Sequence, residues 1–232
     1  MTDTYQFAGI CVEINHIYPY FAEMAKDYLC DENPAFSISV TQADIDLERT
    51  DAQVQDGYLE SLAIYRKLCD KLVQMGVVLF HSAAITAGGK AYLFTAPSGT
   101  GKSTHIKLWR KRYGKAVGII NGDKPLISIT EQEIRAWGTP WDGKEHWSAN
   151  RSAPIAGICY LGRGVDNEIT PMSSQEALSV LFSQSYRPST EAGMRRLMQL
   201  LQEISQRVPF WKLKCNMSEE AAEVSYAAMR GE

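Results

Sequence analysis

One stretch in the middle of this 232-residue chain, residues 92–104, constrains its fold more than any other. It begins as an apolar strand, continues through a loop of small residues, and then places Lys102 and Ser103 at the start of a helical pattern. This order matches the phosphate-binding motif G-x-x-x-x-G-K-S/T, except that Ala96 replaces the first glycine. The stretch therefore predicts an α/β protein with an anion-binding loop between a strand and a helix.

The residue types in this loop suit the phosphates of a nucleotide. Gly99 and Gly101 allow backbone conformations that turn successive N–H groups toward an anion. The first turn of the following helix adds positive potential. The Lys102 ammonium can bridge terminal phosphates, and the Ser103 hydroxyl can coordinate the Mg²⁺ that accompanies them. The rest of the predicted phosphate-binding set comes from the same loop: Ser98, Thr100 and Thr104.

The composition of the chain limits the classes of molecule that it is expected to bind. A formal net charge of −3 gives no electrostatic basis for binding nucleic acid or an anionic membrane. The N-terminus has no basic segment and the chain has no apolar run of membrane-spanning length, so we expect a cytoplasmic protein. The five cysteines have no C-x-x-C spacing and are expected to be reduced thiols. They are Cys11, Cys30, Cys69, Cys159 and Cys215.

The first 75 residues are predicted to form a strand–helix–strand–helix unit ahead of a nucleotide-binding domain at 76–232. This unit is either a small lobe or the edge of the same sheet. The predicted elements are a strand at 7–14, a helix at 17–29, a strand at 36–40, a loop or weak strand at 44–55 and a helix at 58–75.

A buried strand at 116–120 leads into Asn121-Gly122-Asp123, about twenty residues past the phosphate loop. An aspartate in this place is typical of a second Mg²⁺ anchor, although Asn-Gly-Asp is also common in plain turns. The other predicted elements are strands at 77–80, 126–129, 134–137, 155–161 and 210–213, a hairpin turn at 87–90, and helices at 173–185, 190–206 and 218–229, the last capped by Ser218.

A long polar and aromatic loop covers residues 138–146, and such loops often carry function. Lys144 is predicted to contact a phosphate or the acceptor. Trp141 and Trp147 either grip a protein substrate or belong to the core.

Residues 81–85, the turn after them, residues 91–95 and the loop at 98–103 together resemble the HPr kinase/phosphorylase family. The loop is also similar to that of ATP-dependent phosphoenolpyruvate carboxykinase, which shares the fold. The likeness covers about residues 77–160 and is closest to short bacterial HPr kinase-like proteins. It implies a mixed-sheet α/β phosphate-loop core, a possible homo-oligomer, and ATP- and Mg²⁺-dependent transfer of the γ-phosphoryl group to a hydroxyl of a protein, peptide or small molecule.

The resemblance also implies roles for single residues: Gly99, Gly101 and Lys102 hold phosphate, Ser103 and Asp123 hold Mg²⁺, and His81 lies near the γ-phosphate. The chain departs from the family at Gly122, where the family carries the first member of an acidic pair. The general base is then Asp123, His81 or absent, and His81 is alternatively a strand-end histidine bonded to backbone.

Three functions remain open at this point. The first is a kinase, with Lys102, Asp123 and His81 as catalytic residues. The second is a non-catalytic nucleotide-binding module, which the glycine at 122 makes possible. The third is a carboxykinase acting on a small dicarboxylate, for which the chain is short and offers no obvious arginine cluster.

Overall fold

A small three-stranded sheet opens the chain. In the computed structural model, which describes residues 1–231, β1 (Thr2–Phe7) pairs antiparallel with β2 (Ile10–Asn15), and β2 pairs parallel with β3 (Phe36–Ser39). The prediction of one strand at 7–14 is wrong because the chain reverses there. Ala8 and Gly9 both adopt a positive φ, and their turn separates β1 from β2.

Three helices accompany this sheet: α1 (Pro19–Met24), α2 (Gln42–Leu47) and α3 (Asp56–Leu72). The predicted helix at 17–29 is shorter in the structure and ends in a separate 3₁₀ turn at Lys26–Tyr28. The loop predicted at 44–55 is wrong in its first part. There Thr41 and Asp44 form a reciprocal capping box that starts α2. The long helix α3 confirms the helix that the apolar periodicity predicts at 58–75.

A nine-stranded mixed sheet forms the rest of the scaffold. Its long central strand, β10 (Ser152–Arg163), runs parallel to β6 (Lys90–Thr95) and β12 (Phe210–Cys215). The strand order is β4-β8-β9-β10-β6-β5-β7, with β12 also beside β10 and β11 on the outside of β12. The remaining strands are β4 (Val77–Leu79), β5 (Ala83–Ala87), β7 (Gly118–Asn121), β8 (Leu126–Ile129), β9 (Ile134–Trp137) and β11 (Glu168–Pro171), of which β11 was not predicted.

Helices cover both faces of this sheet because β6 alternates its side chains. Leu93 packs on one face with α5 (Ser174–Gln184) and α6 (Glu191–Arg207). Tyr92 and Phe94 pack on the other face with α4 (Lys102–Tyr113) and α7 (Glu220–Met229). The chain is therefore a mixed α/β protein, as predicted. The predicted cap is wrong, because Glu219, and not Ser218, precedes the first residue of α7.

The small sheet and the large sheet share one apolar cluster. Buried side chains of β1, β2 and α3 pack against Val77, Leu79 and Leu126 of the large sheet and against Trp141. The division at residue 75 remains a prediction. The shared cluster fixes the loop that carries Trp141 against the first 75 residues.

Cys11 and Cys30 form a disulfide between β2 and the segment that follows α1. The expectation that all five cysteines are reduced is therefore wrong for this pair, whose separation in sequence hides their proximity in space. The other three are free, Cys69 and Cys159 being buried and Cys215 half-buried.

Membrane-spanning helices were searched for throughout the described part of the chain. Within residues 1–231, no helix combines the length and the apolar character needed to cross a bilayer.

Candidate functional site

The phosphate loop lies between the end of β6 and the start of α4. Ala96, which replaces the first glycine of the motif, is fully buried in the apolar cluster between the sheet and α4. Gly99 has a φ of 77° and Gly101 a φ of 120°. Residues that carry a side chain rarely adopt either backbone conformation, so the path of the loop requires glycine at both positions. The loop thus keeps the two glycines that shape an anion-binding nest. The methyl group of Ala96 packs in the apolar core.

Three side chains that are distant in sequence meet at this loop. His81 follows β4, Asp123 follows β7, and Lys102 is the first residue of α4. The Nε2 atom of His81 lies 3.0 Å from Oδ1 of Asp123 and 3.2 Å from Nζ of Lys102. Lys102 also donates a hydrogen bond of 3.3 Å to the carbonyl of Ala96. The structure therefore assembles the three residues predicted to be catalytic into one contact group, while their roles stay predictions.

Gln184, the last residue of α5, orients His81. Its Oε1 atom lies 3.0 Å from Nδ1 of His81, and its backbone carbonyl accepts the His81 N–H at 2.7 Å. The two ring nitrogens thus face side chains, so the reading of His81 as a histidine bonded to backbone does not hold. Sequence reasoning missed Gln184 because it is 103 residues away from His81 and belongs to no motif.

Burial and neighbouring charges shift the pKa values of Lys102 and Asp123 in opposite directions. Burial lowers the pKa of Lys102, and the nearby Asp123 carboxylate raises it by a smaller amount. For Asp123, burial raises the pKa, but the hydrogen bond and charge of His81, with Lys124 and Lys102, outweigh it and hold the pKa below its usual value. Asp123 is therefore an ionised carboxylate at neutral pH.

A cavity of about 550 Å³ lies over this group. The phosphate loop forms one wall, and residues 142–145 of the long loop form the other. Thr100 is absent from its lining and faces a different cavity. The other predicted site residues all line it: His81, Ser98, Gly99, Gly101, Lys102, Ser103, Thr104, Asp123 and Lys144.

The oxygen donors in this cavity suit a hard cation. Among residues 1–231, no cluster of three or more His, Cys, Asp or Glu side chains is placed to hold a metal ion by itself. Mg²⁺ does not need one, because it keeps several waters and binds through one or two protein oxygens and the substrate phosphates. The Ser103 hydroxyl and the Asp123 carboxylate line the same cavity, so the residues present fit this kind of site.

The long loop closes the position next to Asp123. The Gly122 N–H donates a hydrogen bond of 2.7 Å to the carbonyl of Trp147. A Cβ atom at Gly122 would lie 3.2 Å from the carbonyl oxygen of Asp142 and from Cβ of Trp147. The loop that crowds this position also brings Asp142 into the cavity lining. Asp142 was not among the predicted site residues, since only the tertiary fold brings it into the same cavity lining as Asp123.

Trp141 anchors the long loop in the shared apolar cluster. Its ring packs against Phe7, Phe21 and Tyr65, and its Nε1–H donates to the carbonyl of Ser61 at 3.2 Å. Of the two interpretations of this tryptophan, the structure supports the core. The first 75 residues thus hold one wall of the cavity in place.

No protein-family model matches the chain, and no curated protein is significantly similar to it. Among solved structures, the chain is similar to the HPr(Ser) kinase/phosphatase from Coxiella burnetii with a TM-score of 0.36 and 8% sequence identity. The match covers 66% of this chain and 93% of that chain. A likeness this distant carries no conclusion about function, which rests on the residues of the site.

Proposed function

We propose that this protein binds ATP with Mg²⁺ and transfers the γ-phosphoryl group to a hydroxyl. The observation that carries the proposal is the contact group of Lys102, His81 and Asp123 at the end of a glycine-containing loop, beneath a cavity large enough for a triphosphate. A half-buried cation, an ionised carboxylate and a strand–loop–helix anion nest are the parts that phosphoryl transfer requires.

The cations of the cavity hold the phosphates in this proposal. The loop N–H groups and Lys102 bind from one wall, and Lys144 approaches from the other. None of the described residues 1–231 forms an ion pair with Lys144, so its ammonium is available to a phosphate. Ser103 and Asp123 would hold Mg²⁺, which when bound neutralises charge on the phosphates.

The proton of the acceptor hydroxyl goes to a carboxylate. As its oxygen bonds to the γ-phosphorus and the bond to the β-phosphate oxygen breaks, the hydroxyl proton moves to Asp123. Asp123 can take this proton because it is ionised at neutral pH and because His81 fixes one of its two oxygens, and its lowered pKa makes it a weak base. Positioning supplies most of the rate in such a reaction, so a weak base suffices.

The acceptor reaches His81 from a separate opening. A cavity of about 400 Å³ contains His81 and Ser98, which also line the phosphate cavity, and it continues between Tyr65 and Tyr186. Ser185 lines it too, and its buried hydroxyl has no hydrogen-bond partner. This mixture of aromatic and hydroxyl groups suits a protein or peptide side chain or a small polar molecule. A cytoplasmic location and a homo-oligomeric state complete the proposal.

A non-catalytic nucleotide-binding module is the second candidate. It is favoured by the glycine at 122, where a side chain would be crowded by Asp142 and Trp147 and where a second carboxylate is therefore absent beside Asp123. A carboxykinase ranks below both, because no arginine lines the phosphate cavity to bind a dicarboxylate.

The test is phosphoryl transfer from radiolabelled ATP to a panel of hydroxyl acceptors. Lys102→Ala is expected to lower the rate by at least ~100-fold, the effect of removing a principal phosphate-stabilising charge. The matched control is Lys111→Ala on the same helix, where the ammonium pairs with Glu219 on the surface. Unchanged transfer by Lys102→Ala would contradict the kinase, and ATP binding without transfer to any acceptor would favour the module.

A further inference from the structure

A second cavity lies on the opposite side of the phosphate loop. Its volume is about 450 Å³, and it shares Gly99, Gly101 and Thr104 with the phosphate cavity. Its other walls come from α4 and from the ends of β10 and β12, where the chain leaves the sheet. A ligand whose phosphates occupy the loop therefore has a second enclosed space within reach of the same residues.

The floor of this second cavity contains a buried hydrogen-bonding group with no partner. His105 is 2% exposed, and its Nδ1 atom has no hydrogen bond within residues 1–231. On the other side of the ring, Nε2 lies 3.1 Å from the indole nitrogen of Trp109 and 3.2 Å from the Ser225 hydroxyl. The indole N–H of Trp109 also lies 3.0 Å from the Ser225 hydroxyl, which donates to the carbonyl of Ala222, so Nδ1 is a donor or an acceptor according to the tautomer of the ring. His105 lines the cavity and thus carries a buried ring nitrogen without a partner, which is costly unless a ligand supplies one.

Three large apolar side chains line this cavity, in contrast to the mostly polar and charged lining of the phosphate cavity. Leu108, Leu161 and Met217 line the space, and Met217 is 81% exposed at its mouth. Arg163 closes the rim by donating a hydrogen bond of 2.8 Å to the carbonyl of Gly99. Apolar walls with a small number of polar groups are typical of sites for small organic ligands.

We propose that the second cavity is the nucleoside subsite of this protein. A heteroaromatic base lies between Leu108, Leu161 and Met217, and a polar atom on the edge of the base pairs with Nδ1 of His105. This inference rests on the proposed function, because the phosphate loop must hold the phosphates that follow the nucleoside. It adds that the protein distinguishes a nucleoside triphosphate from a bare polyphosphate.

The first experiment compares the binding of ATP and of inorganic tripolyphosphate, each with Mg²⁺, by calorimetry. The wild-type protein is expected to bind ATP at least ~10-fold more tightly, a modest gain for one buried base. Leu108→Arg fills the cavity from a half-buried position, and is expected to bring the affinity for ATP down to that for tripolyphosphate without changing the latter. The control is Val165→Arg, which places the same side chain at an 87% exposed position outside the cavity.

The outcomes separate the two levels of the proposal. Equal affinities for ATP and tripolyphosphate, or unchanged ATP affinity in Leu108→Arg, would overturn the nucleoside subsite and leave the phosphate loop standing. Binding of neither ligand by the wild-type protein would overturn both.

The second experiment isolates the unpartnered ring nitrogen. His105→Phe removes Nδ1, whereas Ser225→Ala disturbs the same buried contact from its far side and keeps that nitrogen. We expect His105→Phe to weaken ATP binding while tripolyphosphate binding stays at the wild-type value, which also shows that the variant is folded. Ser225→Ala is expected to bind ATP as the wild type does. Equal losses in both variants would show that His105 acts only through core packing and would contradict its contact with the base.

Discussion

The ammonium nitrogen of Lys102 and the Nε2 atom of His81 lie 3.2 Å apart, and the same Nε2 atom lies 3.0 Å from the carboxylate of Asp123. The first residue of a helix and two residues that each lie two positions beyond the end of a strand thus form one contact group. Gln184 completes it by holding the far side of the imidazole. The arrangement joins the phosphate loop to the strand end that would hold a metal ion.

The pKa of Asp123 depends on His81, and this dependence is measurable. Burial raises this pKa, and the hydrogen bond from His81 is the largest of the contributions that lower it. We expect His81→Phe to raise the pKa of Asp123, whereas His146→Phe, which removes an exposed histidine near Asp142, leaves it unchanged. Carboxyl carbon chemical shifts recorded against pH check both variants.

The lowered pKa of Asp123 also determines how the stability of the fold changes with pH. A carboxylate with a lowered folded-state pKa stabilises the fold above its unfolded-state pKa of about 3.9, and this stabilisation is lost as the pH falls through the folded value. His81→Phe is therefore expected to lose the Asp123 contribution at a higher pH than the wild type does. Denaturant unfolding at several acidic pH values measures this. A pH dependence identical in the two proteins would contradict the coupling.

Gly143 is required where the long loop passes over Asp123. It has a φ of 73°, and a Cβ atom there would lie 2.9 Å from Cβ of Asp123. Gly89 has a φ of 77° with no atom near its Cβ position, so Gly89→Ala carries only the backbone strain. We expect each alanine variant to lose about 1 kcal/mol of stability from that strain.

Only Gly143→Ala is expected to weaken Mg²⁺-dependent ATP binding, since it displaces the loop from Asp123. Chemical denaturation and calorimetry of the two variants test this pair of expectations. Equal ATP affinities in Gly143→Ala and Gly89→Ala would show that the contact with Asp123 is unimportant for binding.

Trp141 links the first 75 residues to the site, so its removal affects both stability and binding. Trp141→Ala deletes a side chain that is 6% exposed and packed among three aromatic rings, and we expect a loss of about 3–5 kcal/mol in the free energy of unfolding. Trp147, half-buried beneath the Lys107 and Arg110 cations, is the matched control and should cost less. Urea unfolding compares the two, and an equal or smaller loss for Trp141→Ala would contradict its anchoring role.

The sequence predicts the parts of this fold that depend on local pattern. The phosphate loop, the hairpin turn at Gly88 and Gly89, and the amphipathic helix α3 all carry their signal within a few residues. The helix α2 was missed because it is short and acidic, and its only clear signal is the capping box of Thr41 and Asp44. A local sequence pattern locates the end of a strand, but it does not show which side chains from distant segments meet at that end.

The residues of the candidate site show the same limit of prediction from local sequence pattern. Lys102 and Asp123 were predicted because each follows or precedes a recognisable strand or helix. Gln184 and Asp142 reach the cavity only through the packing of α5 and of the Trp141 loop, and neither has a local pattern that indicates this. The Cys11–Cys30 disulfide was missed for the same reason, since strand pairing brings two distant segments together.

The most direct test of the central claim is a calorimetric titration of the purified protein with ATP, with and without Mg²⁺, repeated on Asp123→Ala. We expect wild-type binding that depends on Mg²⁺ and a loss of affinity of at least ~10-fold in the variant, because in the proposal Asp123 holds the metal and it also contacts His81 of the group with Lys102. No binding of ATP by the wild-type protein, or binding that is equally tight without Mg²⁺ and in Asp123→Ala, would contradict the proposal.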